Sequence, residues 1–530
     1  FLGRLKRPLG TAAEAAGALT SLQRQRRAAS LLAGALLLFA APVRAQCPDG
    51  TPPPCAGARA RASAPSANSV AVLYFENTSR DSADDYLAGG LTEEVILRLQ
   101  QVRRLEVKSR YESQRVRGLR NAAPATLGRE LSARYLVNGT IQRAADRLVV
   151  RVELTRADRG VGVWSERFDR TSANVLDVID DVARGVATGV AGQLLPAESA
   201  DLARRPTTDA VAYEHYVRGN VYLARRDGLS LARAIGEYEA AYARDPALKV
   251  ALARIGYTYS LGLARNVGDL SDDTVAARAD AAIARAKQLA PGVAETWIAD
   301  GFRELMRAIR GNEDRTGAAL ASLRRAVEVD TLNAEAHHQY GQGLAIVGPD
   351  SMALAEYRRA LALEPGRAVT CEEIARLLFV AGRFRESAEW ADSALAADPQ
   401  LVRGLRMRGR ARLALGDVAG AEQALAALTA GTSGTPDPDD VALRVLILVA
   451  KGDTAQARAI APGLGSRFGI FTTEARVTAG RSDEVLGALE AQPVPVRCWQ
   501  LRFPTMATLR GNPRYDRLEA QCPTQHSPRE

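Results

Sequence analysis

Histidine, cysteine and paired acids supply most protein-built catalysis, and this chain places few of them usefully. Its 530 residues hold four histidines and five cysteines. His215 and His337 fall where a large residue of a helix packs, so both are expected to substitute for core side chains. His338 points to another face, because adjacent helical residues do not share one. His526 lies in a polar tail. Glu93-Glu94 and Asp180-Asp181 are neighbouring acids on helices; they point apart and make poor general acid–base pairs. Gly89-Gly90 precedes Leu91, but Leu87 and Leu91 continue one helix and no Gly-x-Gly-x-x-Gly follows, which argues against a phosphate cradle. Phosphate-loop, nucleophile-elbow and His-Glu-x-x-His patterns are missing. The expectation is a non-enzyme without cofactor or metal.

The cysteines point to export. Cys47 and Cys55 bracket the turn-rich Pro48–Pro54, and Cys498 and Cys522 bracket a C-terminal segment, so two local disulfides are expected in an oxidising compartment. Cys371 is left over as a small core residue. No Cys-x-x-Cys pair suggests zinc. Arg24, Arg26 and Arg27 precede the apolar Leu31–Ala41 and then Val43-Arg44-Ala45, the pattern of a signal peptide cleaved after Ala45. Its core is short beside the ~20 residues of a membrane span. Counted from Ala28 to Val43 it would instead be a retained anchor. Either reading places the rest in the periplasm or cell envelope. The first residue is Phe1, so the start is expected to be incomplete or misassigned.

Net charge is +9, from 70 Lys and Arg against 61 Asp and Glu. Between Arg98 and Arg120 lie Arg103, Arg104, Lys108, Arg110, Arg115 and Arg117. One reading is a patch for anionic lipid or cell wall. The other is a solvated surface whose arginines sit beside acids. Only Tyr111 interleaves as a stacking platform, so nucleic acid is not an expected partner.

The elements that must position any site fall into two regions. Residues 46–68, rich in Pro, Ala, Ser and Arg, form a flexible tether. Residues 69–195 predict an α/β domain. Ser69–Phe75 is a buried strand, and Leu87, Leu91, Val95, Leu99 and Val102 mark an amphipathic helix. Leu105–Lys108 is a strand and Pro124–Leu131 a helix. Tyr135–Gln142, Leu148–Thr155 and Val161–Phe168 form a strand meander. A helix over Asn174–Leu195, ended by Pro196, closes the domain. Four segments, Ser69–Asn77, Asp85–Glu94, Tyr135–Gly139 and Val163–Asp169, resemble the TolB-like amino-terminal domain. That resemblance implies a small α/β module of bacterial envelope or signalling proteins, without catalytic residues and commonly followed by tetratricopeptide repeats.

Helix pairs do recur after Pro206. Asn333–Pro365 carries His337, Tyr340, Gly341 and Leu344 on a first helix and Ala353, Tyr357 and Ala360 on a second; Gly366–Pro399 repeats the plan. This is tetratricopeptide spacing, with small residues where helices cross. Earlier units are looser, with insertions at Asn266–Asp273 and Gly311–Asp314. After Leu401 the pattern weakens, and Trp499–Leu518 resembles a cap. Polar helix-A residues Asn220, Gln339, Gln342 and Arg376 either face a concave groove that takes a protein or peptide, or are merely solvated.

The resulting expectation is an α/β domain followed by an all-α tetratricopeptide solenoid wound as a right-handed superhelix. Its segments are 1–45 signal or anchor, 46–68 tether, 69–195 α/β domain, 207–430 repeats, and 431–530 degenerate repeats with a cap. The expected role is an exported scaffold or sensory adaptor. The rival is the sensory half of a membrane-bound signalling protein with a kinase, cyclase or DNA-binding domain ahead of residue 1.

Overall fold

The computed structural model of the protein describes residues 65–79, 84–171, 174–202, 205–225, 228–263, 267, 270–311, 313–430, 436–465 and 470–522. The signal or anchor segment, most of the tether, Cys47, Cys55 and His526 lie outside the described residues.

The first region is built on a mixed sheet. Its strands are β1 (Ser69–Val72), β2 (Glu76–Asn77), β3 (Glu106–Val107), β4 (Tyr135–Ala144), β5 (Arg147–Arg156) and β6 (Val161–Thr171). Their order is β3-β1-β4-β5-β6, with β2 beside β4. β1 runs parallel to β3 and β4, while β4, β5 and β6 form the antiparallel meander that short connections require. On β5, Leu148, Val150, Val152 and Leu154 are buried, and Arg151 and Glu153 on the other face are exposed, as the period of two dictates.

Two helices cover the inner face of this sheet, α1 (Asp85–Gln100) and α4 (Val175–Ala191). Leu91, Val95, Leu99, Val178, Val182 and Val186 join the β5 residues in one core. On the other face α2 (Arg110–Arg115) and α3 (Pro124–Glu130) lie toward the β1–β4 end. Leu127 and Leu131 pack there on Leu73 and Leu136. A capping box of Ser109 and Glu112 starts α2.

The closing helix is shorter than the sequence predicts. It ends at Ala191, Gly192 adopts a φ of 75°, and Pro196 opens a further helix, α5 (Pro196–Leu202), instead of ending one. Glycine enters that left-handed region without a Cβ clash. Proline suits a first helical turn, where its missing N–H is not needed.

The second region is a stack of antiparallel helix pairs. They are α6 (Ala210–Arg225) with α7 (Gly228–Arg244), α8 (Val250–Gly262) with α9 (Asp272–Leu289), and α10 (Ala294–Arg310) with α11 (Thr316–Val329). Next come α12 (Ala334–Val347) with α13 (Asp350–Leu363), α14 (Ala368–Val380) with α15 (Phe384–Ala397), and α16 (Val402–Ala414) with α17 (Val418–Thr429). The weaker sequence pattern still folds as pairs: α18 (Pro438–Ala450) with α19 (Thr454–Ile460), and α20 (Ile470–Thr478) with α21 (Ser482–Glu490). Glycine on the first helix of a pair lets the second approach. A Cβ at Gly219 would lie 2.5 Å from the Tyr238 ring, and one at Gly341 would lie 2.8 Å from the Tyr357 ring. This spacing and close crossing make the region a tetratricopeptide solenoid.

The C-terminal segment does more than cap the last pair. It holds α22 (Val494–Leu501) and α23 (Pro513–Glu519). Trp499, Phe503, Met506 and Tyr515 share one apolar cluster with Leu305, Ile346, Phe379 and Met407, which lie in much earlier repeats. Arg502 pairs with Asp350 at the start of α13. Cys498 and Cys522 are disulfide-bonded, with Cα atoms 5.4 Å apart. Cys371 is free and buried, and burial pushes its thiol up to about 11.

Candidate functional site

The first helices of successive pairs wall a cavity of about 2230 Å³, and α1 and α2 of the α/β domain close its other side. All four helix-A residues singled out by their spacing line it: Asn220 on α6, Gln339 and Gln342 on α12, and Arg376 on α14. None of the four is merely solvated. Asn220 Oδ1 accepts from the Tyr238 hydroxyl at 2.8 Å. Gln339 Nε2 donates to Glu335 Oε1 at 2.8 Å and to the Tyr257 hydroxyl at 3.0 Å. Gln342 Nε2 donates to Glu373 Oε1 at 3.1 Å. Arg376 Nε donates to Glu373 Oε2 at 2.9 Å, and its guanidinium lies 5.3 Å from the Trp499 ring centroid. The amide oxygens of Gln339 and Gln342 are buried and accept no hydrogen bond within the described residues. Such acceptors are costly to leave unmet and take a donor from water or from a ligand.

Beneath Gln342 lies a buried charge cluster. Glu372 and Glu373 stand side by side on α14, facing Arg376 and Arg403. Burial holds the Glu372 carboxyl above the usual carboxylate range. Its nearest cation, Arg403 Nη2, is 2.9 Å away but off hydrogen-bond alignment. Burial works against the charge on Glu373 too, but Arg376, Arg403 and His338 outweigh it and hold that group below the usual range. Arg403 Nη2 donates to Glu373 Oε1 at 2.6 Å. These ions fix the rotamers along the wall.

Several wall residues were not singled out by sequence. Glu335 lies one turn before Gln339, a spacing that places both on one helix face and was a readable signal. Arg367 pairs with both Glu335 and Glu364. Its guanidinium also lies 5.9 Å from the Tyr111 ring centroid, across the seam between the two regions. Ser109 donates to the Pro365 carbonyl at the same seam. Those meetings span hundreds of residues and carry no local signature.

Most charges of the basic segment have partners within the chain, which leaves the lipid and cell-wall expectation without support. Arg98 is 1% exposed and pairs with Glu94 at 2.9 Å and Asp180 at 2.6 Å. Arg104 meets Glu198, Lys108 meets Glu106, Arg110 meets Glu93 and Arg120 meets Glu76. Arg115 donates to the Glu130 carbonyl, and Arg117 lies over the Tyr74 ring. Most of these partners are distant in sequence; Arg103 stays exposed, and Arg115 and Arg117 meet a carbonyl and a ring instead of an acid.

The histidines differ from simple core substitutes. His215 Nδ1 lies 2.7 Å from Glu237 Oε2, and His337 Nδ1 lies 2.6 Å from Glu356 Oε2, so each ring links the two helices of its pair. His338 lines the cavity and meets Thr370 Oγ1 at 3.0 Å. Gly89 and Gly90 lie inside α1, as one continuous helix requires. A Cβ at Gly90 would lie 2.0 Å from Val217 Cγ1, so this glycine serves the docking of α1 on α6. Among the described residues, no group of three or more His, Cys, Asp or Glu converges to hold a metal ion, and no helix is long and apolar enough to cross a membrane. The site offers fixed donors, acceptors and both signs of charge along an elongated wall.

No family model matches the chain. Over 203 residues it is 30% identical to a protein named putative adenylate cyclase 3 of Rhizobium meliloti (strain 1021), covering 38% of this chain and 34% of that protein. The chain therefore spans about a third of the length of that relative. Similar solved structures include a thermophilic TPR protein of Thermus thermophilus, at 20% identity and a TM-score of 0.32, covering 38% of this chain and 98% of that one. PilW, a widely conserved type IV pilus biogenesis factor, is 18% identical with a TM-score of 0.33, covering 45% and 98%. Yeast Tom70 is 14% identical with a TM-score of 0.34, covering 58% and 66%.

Proposed function

We propose that the protein is a non-enzymatic scaffold or sensory adaptor of the cell envelope that seats a partner peptide or helix in the concave groove of a right-handed repeat superhelix. The observation that carries this reading is the cavity of about 2230 Å³ walled by α6, α8, α10, α12, α14 and α16. Its fixed polar side chains and the unmet amide acceptors of Gln339 and Gln342 suit a ligand with backbone N–H groups to offer. Affinity would come from a few anchors and specificity from the ion pairs around them. The resemblance of the α/β domain to the TolB-like module and the export pattern of Arg24–Ala45 support the envelope placement.

The test is capture from envelope extract by the full chain and by a Gln339→Ala, Gln342→Ala variant. Arg359→Ala on the exposed side of α13 is the control. A groove-bound partner is lost with the double variant and kept with the control. Equal capture by all three chains contradicts the proposal.

A second reading is favoured by the likeness to the putative adenylate cyclase. The chain would then be the extracytoplasmic sensory half of a membrane-bound signalling protein, with its effector domain ahead of residue 1. The coding sequence upstream of Phe1 discriminates: a continuous frame encoding a cyclase or kinase favours it, and a start close to Arg24 favours the adaptor.

A further inference from the structure

The two edges of the sheet have different surroundings. Beyond β3 the chain enters α2 and meets the repeat array through Ser109 and Pro365. At the far edge β6 pairs only with β5, so its outer N–H and C=O groups meet no strand among the described residues. β6 runs for 11 residues, Val161–Thr171. Apart from buried Phe168 and partly covered Trp164 and Asp169, it is exposed, with Val161 57% and Val163 44% accessible. A long open edge is a template for another strand unless something blocks it. Here a shallow cleft of about 500 Å³ lies beside it, lined by Val163, Trp164 and Glu166 of β6 and by Gly185 and Gly189 of α4.

The charges on this edge complement a second copy of the same strand. Around Phe168 the strand reads Glu166, Arg167, Phe168, Asp169, Arg170. An antiparallel pairing of this strand with itself, about a two-fold axis at Phe168, sets Glu166 opposite Arg170 and Arg167 opposite Asp169, each twice. Pairing centred on Glu166, Arg167, Asp169 or Arg170 would set a like charge against itself, which is destabilising. Of these charges, Glu166 and Arg170 are the lightly engaged ones. Glu166 has no ion-pair partner among the described residues, and Arg170 reaches only the Asp169 carbonyl, at 3.3 Å. Asp169 is shared by Arg147 and Arg167 of its own chain, on the face that a second Arg167 would approach.

We propose that residues 165–171 of β6 pair antiparallel with the same seven residues of a second copy of this chain, joining the two sheets across a two-fold axis at Phe168. This is an isologous contact, in which each strand supplies both halves of every charge pair. One strand pair buries less than the ~1,200 Å² of a standard interface, so the dimer belongs to the weak, micromolar class.

Sedimentation of the full chain over a concentration series tests this. Glu166→Arg and Arg170→Glu each place like charges opposite one another and leave the buried core untouched. Each is expected to raise the dimer dissociation constant at least tenfold, while the double variant E166R/R170E restores it. Circular dichroism checks that all variants are folded. A wild-type chain that stays monomeric at high micromolar concentration overturns the proposal. So does a dimer indifferent to both single changes, a double variant that stays as weak as the singles, or an edge that captures a foreign extended peptide while the chain is monomeric.

Discussion

The α/β domain and the repeat array bury similar side chains in different ways. In the sheet, Leu154 of β5 packs with Val95 of α1 and Val182 of α4, so one core draws on segments far apart in the chain. In much of the array, a pair such as α8 and α9 is held by Gly256 against Ile283 and by the repeats around it. Damage to the sheet should therefore spread through the whole domain, and damage to a repeat should stay near it. The C-terminal segment is the exception inside the array. Trp499 and Phe503 reach back across several repeats, so that stretch should behave more like the sheet.

The largest expected effect tests the local half of this contrast. Glu373→Ala leaves buried Arg376 without its paired anion and should cost about 3–5 kcal/mol. Hydrogen exchange should quicken in α12–α16 while the sheet amides keep their protection. Leu154→Ala tests the other half. It empties a fully buried site and should cost about 2–5 kcal/mol. Amides of β1, β4, β5 and β6 should then exchange together, and selective loosening of β5 alone would refute the shared core.

Reducing Cys498–Cys522 opens a loop with a sequence separation of 24 residues and should cost about 3 kcal/mol. The near-ultraviolet signal of Trp499 should weaken, and protection should fall around Phe379 as well as in α22 and α23. Loss confined to the last two helices would make the segment a simple cap. Gly341→Ala pushes a methyl against the Tyr357 ring and should cost about 1–3 kcal/mol, with exchange quickening most in α12 and α13.

The smallest effect is a titration. The Arg104 side chain, with the Leu195 amide, holds the Glu198 carboxyl down at about 2 from an ordinary 4.5. A depressed folded-state pKa means the contact stabilises fully above the ordinary value, and its contribution is lost as pH falls from there toward about 2. Carboxyl titration followed by NMR should show Glu198 protonating near 2, and Arg104→Ala should return it toward 4.5. An unshifted Glu198 in the native chain would remove this tie between α5 and the turn that precedes β3.

What was legible in the sequence follows the same division. Local periodicity marked Leu148–Leu154 as one strand face and Asn333–Pro399 as two helix pairs, because each pattern is written within a few tens of residues. The same offsets placed Asn220, Gln339, Gln342 and Arg376 on one cavity wall. Contacts between distant segments were not legible. Glu198 and Asp180 pair with Arg104 and Arg98, and nothing near either arginine announces these two acids. Tyr111 meets Arg367, and Trp499 meets Arg376, only after the chain has folded. Gly192 was the readable signal for the early end of α4, and Pro196 was misread as a stop when it begins the next helix.

The central claim is that the concave wall, and not the outer surface, receives the partner. A photo-crosslinking residue placed at Lys249, which is exposed on that wall, is the direct measurement, with the same residue at Arg359 on α13 as its counterpart. After irradiation in envelope extract, one discrete adduct is expected from position 249 and none from 359. Adducts from 359 alone, or equally from both, would contradict it.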